Sequence, residues 1–183
     1  MSTHCVPLNL TINPVTVDHS TLKKQYQTSI PLKLLNSDII TVFQKYSIKI
    51  NYAESFYSPP NYTQPIHTDV AGGDYVKLNF VYDGFGSNMH WYKVKEGMTT
   101  NNINVTPDSG TPYIPWDPST VELVESNPLA YPSLVQVGCP HNVTTKDKHR
   151  LCISLFLIDV TTFKRITFDI AKNRLAEYLI GAT

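Results

Sequence analysis

Apolar residues come in short runs that alternate with polar ones, and prolines separate many of the runs. The alternation is cleanest from Asp74 to Tyr82. Tyr75, Lys77 and Asn79 fall on one face of an extended chain, and Val76, Leu78 and Phe80 on the other. "SIKINYAESFYS" alternates in the same way up to Pro59-Pro60, and "MHWYKVK" follows the turn residues "DGFGSN". Further on, "TVELVE", "SLVQVG", "HNVTT" and "RLCISLFLIDV" read as strands divided by turns. Helical spacing occurs at two places. "NSDIITVFQKYS" puts Ile39, Val42, Phe43 and Tyr46 on one side, with Ser37 or Asp38 as the expected cap. "FDIAKNRLAEYLI" puts Ile170, Leu175, Tyr178 and Leu179 together behind a cap at Asp169. The pattern predicts a mainly β chain with flanking helices.

The stretch from Glu96 to about Pro118 breaks the pattern, being polar and rich in Asn, Thr, Pro and Gly. So long a weakly structured segment inside a compact domain is expected to be a functional lid or a decorated loop. Its part from Gly97 to Trp116 either folds over a site and selects substrate or lies in solvent.

At 183 residues one domain spanning 1–183 is expected, with enough chain to bury a core without disulfides. Fifteen basic residues balance fifteen acidic ones, so the basic excess of a nucleic-acid surface is missing. Cys5, Cys139 and Cys152 have no framework spacing and suit a reducing compartment. The N-terminal "MSTHCVPLNLTINP" has neither a basic region nor a continuous apolar stretch, and no window reaches membrane-spanning length. A cytoplasmic protein without membrane partners is expected. The four Asn-x-Thr sequons then carry no glycan.

Against this background His67 and Asp69 stand out. On an extended chain residues i and i+2 point the same way, so an imidazole and a carboxylate share one wall. A second imidazole would complete the two-histidine, one-carboxylate set that suits non-haem iron(II) and leaves three positions open. His141 ends the apolar run "SLVQVGCP", and Arg150 opens the next strand nine residues later. A hairpin there would place both on neighbouring strands facing one cavity. Arginine's planar fork grips a carboxylate with two hydrogen bonds. A metal at one end of a cavity and an arginine further in would hold a dicarboxylic acid lengthwise.

In this order and spacing, His67-x-Asp69, His141 and Arg150 resemble the 2-oxoglutarate- and iron(II)-dependent oxygenases, over about Pro65 to Ile158. "HTD…KLNFVYDGFGSNMHWY…PSLVQVGCPHNVTTKDKHRLCISL" is similar to short members of that family from marine phages and bacteria. The resemblance implies a double-stranded β-helix, a distorted, cupin-like jelly roll. It implies Fe(II) held by His67, Asp69 and His141, and 2-oxoglutarate held at its distal carboxylate by Arg150. Asn79 or Tyr75 would hydrogen-bond the co-substrate or product. With O2, such a protein hydroxylates a C–H bond and releases succinate and CO2; a protein side chain, amino acid or other small substrate is expected. A phage-encoded chain would act in the host cytoplasm. Many members carry Arg-x-Ser, whereas Cys152 stands here in the serine's place and the next serine is Ser154.

The remaining histidines read as structural or surface residues: His90 has no carboxylate at useful spacing, His149 should point away from Arg150, and His4 and His19 lie outside any motif. Trp91 reads as core, Tyr92 as core or pocket wall, and Cys139 as a buried structural thiol. Lys77 and Asn79 face either a polar cavity or water. Two rival functions use the same residues differently. A cupin-type metalloenzyme would need the histidines but not Arg150, and a non-catalytic jelly-roll binding module would need none of them.

Overall fold

The computed structural model describes residues 3–23, 26–69, 74–100, 102–106 and 110–181. Its twelve strands form two antiparallel six-stranded sheets, an architecture consistent with a β-sandwich. In the first sheet the strands run β1 (Cys5–Pro7), β10 (Ser133–Gln136), β5 (Val76–Tyr82), β12 (Arg150–Asp159), β3 (Ile48–Ser58) and β2 (Gln27–Ile30). In the second they run β7 (Asn104–Val105), β8 (Pro112–Pro115), β4 (His67–Asp69), β11 (His141–Thr144), β6 (Asn88–Val94) and β9 (Val121–Asn127).

The central strand β12 is buried along its whole length, yet its two faces differ in chemistry. Leu151, Ile153, Leu155 and Leu157 join Leu78 and Phe80 of β5 in the larger hydrophobic core. Helix α1 (Ser37–Lys45) adds Ile39 and Phe43, and helix α2 (Phe168–Arg174) adds Phe168 and Ala171. The opposite face of the same strands turns Arg150, Cys152, Ser154, Lys77 and Asn79 into a cavity shared with the second sheet. Lys77 and Asn79, from the polar face of the Asp74–Tyr82 pattern, therefore belong to a cavity wall and not to solvent. A second apolar cluster, with Met89, Trp91, Val135 and Val143, draws on strands of both sheets.

The helices depart from expectation at their caps. Asn36 is extended and its side chain accepts from the Asp38 amide at 2.9 Å, so the cap precedes both Ser37 and Asp38. At α2 the cap is Thr167, whose hydroxyl accepts from the Ile170 amide, and not Asp169. Ile170 is exposed while Phe168, Ala171 and Leu175 are buried. The α-helix ends at Arg174 and continues as a 3-10 turn, Ala176–Tyr178, yet Tyr178 and Leu179 still pack against the core with Leu175.

The polar stretch after Glu96 holds more structure than expected. Strands β7 and β8 pair within it, and β8 pairs onward with β4, setting Tyr113 opposite Asp69. Residues 101 and 107–109 of that stretch lie outside the described residues.

Leu155 is fully buried on the face turned away from the cavity. Leu155→Ala should therefore cost about 2–5 kcal/mol in urea unfolding. Divalent-metal affinity of the folded fraction should stay at the wild-type value; a large loss would mean that the two faces are not independent.

Candidate metal centre

Register alone brings the two histidines together. His141 is the direct antiparallel partner of His67, and their ring centroids lie 4.5 Å apart. Asp69 follows two residues after His67 on the same face, with its Oδ1 3.7 Å from His67 Nε2. One donor atom from each of His67, Asp69 and His141 falls within 4.8 Å of the others, a group that could hold a metal ion. A slip of one residue in β11 would turn His141 away from the other two. Trp91 resists such a slip: it pairs with His141 from the other side, is fully buried, and donates its indole N–H to the Gln136 carbonyl at 2.8 Å. The Asp69 amide donates to the Val137 carbonyl at 3.1 Å, which fixes the far end of β4.

Both rings are held in the tautomer that a metal needs. His67 Nδ1 lies 2.9 Å from the Pro65 carbonyl, and His141 Nδ1 lies 2.9 Å from the Cys139 carbonyl. A carbonyl only accepts, so each Nδ1 carries the proton and each Nε2 keeps its lone pair for a ligand. Burial lowers the pKa of His67, and burial with the neighbouring His67 ring lowers that of His141 to about 3. Burial opposes ionisation of Asp69, but the charge of Lys77 leads the effects that outweigh it, and the carboxyl is held at about 2. Two neutral imidazoles and a carboxylate are the charge states in which these residues bind a divalent cation.

Lys77 was not singled out as a partner of the acid, yet its Nζ forms an ion pair with Asp69 Oδ2. Strand parity, which groups Lys77 with Asn79, was the sequence signal for its inward position.

The cavity next to the group has a volume of about 240 Å³. Arg150 is 3% exposed and lines it from the first sheet, opposite the histidines. The expected hairpin is absent: β11 pairs with β4 and β6, whereas β12 pairs with β3 and β5. The turn between them packs on the β3–β4 connection instead. The Thr145 hydroxyl donates to the Pro59 carbonyl, and the Lys146 carbonyl accepts from the Asn61 amide. This anchoring carries the chain from one sheet to the other, so His141 and Arg150 look at each other across the cavity.

Asn79 and Cys152 also line the cavity, and Asn79 Oδ1 accepts from the Ser154 hydroxyl at 2.7 Å. Burial raises the pKa of the Cys152 thiol, which keeps it neutral. The structure does not bring Tyr75 to this cavity. Its ring lies 5.4 Å from the Arg165 guanidinium at a separate, smaller cleft. Glu54, overlooked in the sequence, is 2% exposed and lines the cavity from β3. Its signal was parity with Phe56 and Ser58, which share that face.

His90 bonds the Ser126 and Thr144 hydroxyls, and His149 stacks on Tyr57, so neither joins the metal group. His4, His19 and Cys139 also lie apart from it: His4 pairs with Glu125, His19 packs on Tyr82, and Cys139 contributes its carbonyl. Tyr92 donates to the Asn142 side chain at 3.1 Å.

No family model matches the chain, and no curated protein does. Among solved structures, the X-ray structure of E. coli ycfD is similar with a TM-score of 0.37 and 14% identity. That match covers 64% of this chain and 29% of the ycfD chain. No helix among the described residues is long and apolar enough to cross a membrane.

Replacing Asp69 with Ala removes one of three donors and leaves Lys77 as an unpaired buried cation. Binding of Fe(II), followed anaerobically by calorimetry, should be abolished; wild-type affinity would rule out a three-residue centre. The depressed imidazole pKa values also set a pH trend. The unfolded histidines take up protons near 6.5, and the folded ones do so only further down. Between those values the unfolded state binds more protons, so stability falls as pH falls. The urea midpoint of the metal-free protein should be lower at pH 5 than at pH 7, and equal midpoints would contradict it.

Proposed function

We propose that this chain is an Fe(II)- and 2-oxoglutarate-dependent oxygenase, built on a double-stranded β-helix and acting in the cytoplasm as a C–H hydroxylase. The observation that carries the reading is the pairing of two features in one cavity. A two-histidine, one-carboxylate group has both Nδ1 atoms tied back to carbonyls, and a buried arginine faces it from the other sheet. That donor set is the one suited to non-haem iron(II) with open positions. When bound, iron and 2-oxoglutarate would supply oxygen activation, with succinate and CO2 as co-products.

The charges in the cavity support a dianionic co-substrate. Asp69 and Glu54 balance Lys77 and Arg150, so the four side chains sum to zero. A divalent cation would leave an excess of two positive charges, and a dicarboxylate restores neutrality inside a low-dielectric space. Arg150 binds and orients the distal carboxylate through its planar fork. Asn79, Ser154 and the neutral Cys152 thiol offer the weaker polar contacts along the same wall. Lys77 keeps Asp69 ionised and in place. The substrate classes that fit a cavity of this size are small molecules and single side chains of a protein.

The test is an anaerobic titration with Fe(II) and 2-oxoglutarate, following the visible charge-transfer band of the chelate. The band should appear and should be lost in His67→Ala. In Arg150→Met, half-saturation by 2-oxoglutarate should rise roughly 30-fold or more, as expected when one partner of a buried charge pair is removed. Iron binding without the band would favour a cupin-type metalloenzyme. No iron binding would leave a non-catalytic binding module.

A further inference from the structure

We propose that Glu54 is the anchor for a positively charged group, an ammonium or guanidinium, on the primary substrate. This deepens the oxygenase reading and rests on it for the word substrate, but the binding itself does not.

Glu54 lies on the cavity face of β3 and is 2% exposed. Oε1 accepts from Gln27 Nε2 at 2.8 Å and from the Thr111 hydroxyl at 3.3 Å. Oε2 is buried and receives no hydrogen bond among the described residues. Neither buried cation supplies the missing donor: Lys77 pairs with Asp69, and Arg150 enters no ion pair with Glu54. Leaving a carboxylate oxygen buried without a donor is costly, more so than for a neutral group. Gln27 and Thr111 hold the carboxylate in place but satisfy only one of its oxygens. The terminal torsion of a glutamate is soft and nearly two-fold, so the second oxygen can turn to a donor entering from the cavity.

The position separates this acid from the co-substrate end. Across the first sheet, Glu54 is the register partner of Ser154, while Arg150 pairs with Ser58. Four residues of extended strand divide the two levels, about 13 Å. On the other side, Thr111 leads into β8, where Tyr113 pairs with Asp69 and meets the His67 ring edge-on. Glu54 therefore sits at the end of the cavity where β8 flanks the metal group, and Arg150 sits at the other. One pole is positive and takes a dianion. The other presents the Glu54 oxygen that lacks a donor, and a desolvated carboxylate favours a cation over a neutral hydrogen-bonding group.

The test measures binding to the 183-residue chain and needs no turnover. The probes are Nα-acetyl-lysine methylamide and Nα-acetyl-arginine methylamide, with the norleucine derivative as neutral isostere and the glutamate derivative as acidic control. They are titrated by ligand-observed NMR with and without 2-oxoglutarate and a divalent metal. At least one cationic probe should bind about tenfold or more tightly than norleucine, and the acidic probe should bind worst. In Glu54→Gln, which keeps shape and removes charge, that preference should disappear while metal affinity stays as in wild type. Equal binding of the norleucine probe, absence of binding by both cations, or a preference unchanged in Glu54→Gln would each overturn the proposal. The wild-type comparison decides it even if the variant does not fold. Loss of the chelate band together with intact cation selectivity would refute the oxygenase reading and leave the Glu54 site standing.

Discussion

The cavity wall that faces the metal group depends on the two-residue period of the central strands of the first sheet. On β12 the odd positions from Leu151 to Leu157 are aliphatic and pack under the helices, while Arg150, Cys152 and Ser154 point the other way. The neighbours follow suit, with Leu78 and Phe80 outward and Lys77 and Asn79 inward. A sheet buried on both faces normally reads as a continuous apolar run. Here one face is buried against protein and the other lines the cavity. The aliphatic face supplies the burial that stabilises the sheet, which frees the inner face to carry charges that stability alone would not select.

Those charges constrain one another. Asp69 would be expensive to ionise in so dry a site, and Lys77 reverses that tendency. Lys77 is held by chemistry of a second kind, its Nζ lying 4.0 Å from the centroid of the Phe156 ring. The acid is thus kept anionic from the sheet opposite its own. The histidines meet the complementary demand. Burial keeps them uncharged, and the carbonyls two residues before each ring choose which nitrogen is bare. Pro65 itself supplies one of those carbonyls, and Pro140 links the other, that of Cys139, to His141.

Most of the strands were legible because alternation is a local property of the sequence, and β3, β5, β6, β9, β10, β11 and β12 fall where the pattern put them. His67 and Asp69 were legible as a pair for a similar reason, since i and i+2 positions need no tertiary knowledge, whereas His141 joined them through the resemblance to a known family and not through the hairpin. What the pattern could not hold was partnership between distant strands. The turn after His141 reads as a hairpin until its contacts with Pro59 and Asn61 are known, and those residues lie some eighty positions earlier. Strands β7 and β8 were hidden because two and four residues are too few to carry periodicity, and their pairing, β8 with β4 and β7 with β8, is set by distant parts of the chain. Tyr75 has the parity of Lys77 and Asn79 but lies one step too far along the strand, beside Arg165.

The same distinction explains why Glu54 escaped notice. In "NYAESFYS" an acid among aromatics on a strand looks like a solvent-facing residue, the ordinary place for glutamate. Its burial follows from β2 pairing on one side and β12 on the other, which leave β3 without an edge. Gln27 then reaches Glu54 only because β2 runs antiparallel in a register that sets Gln27 beside Phe56, one level from Glu54. A carboxylate so enclosed is costly to the fold, and nothing in the hydrophobic pattern requires it. Apolar residues of similar size would fill the position without that penalty, so the balance of forces points to a ligand, not to packing, as the reason for an acid at this place.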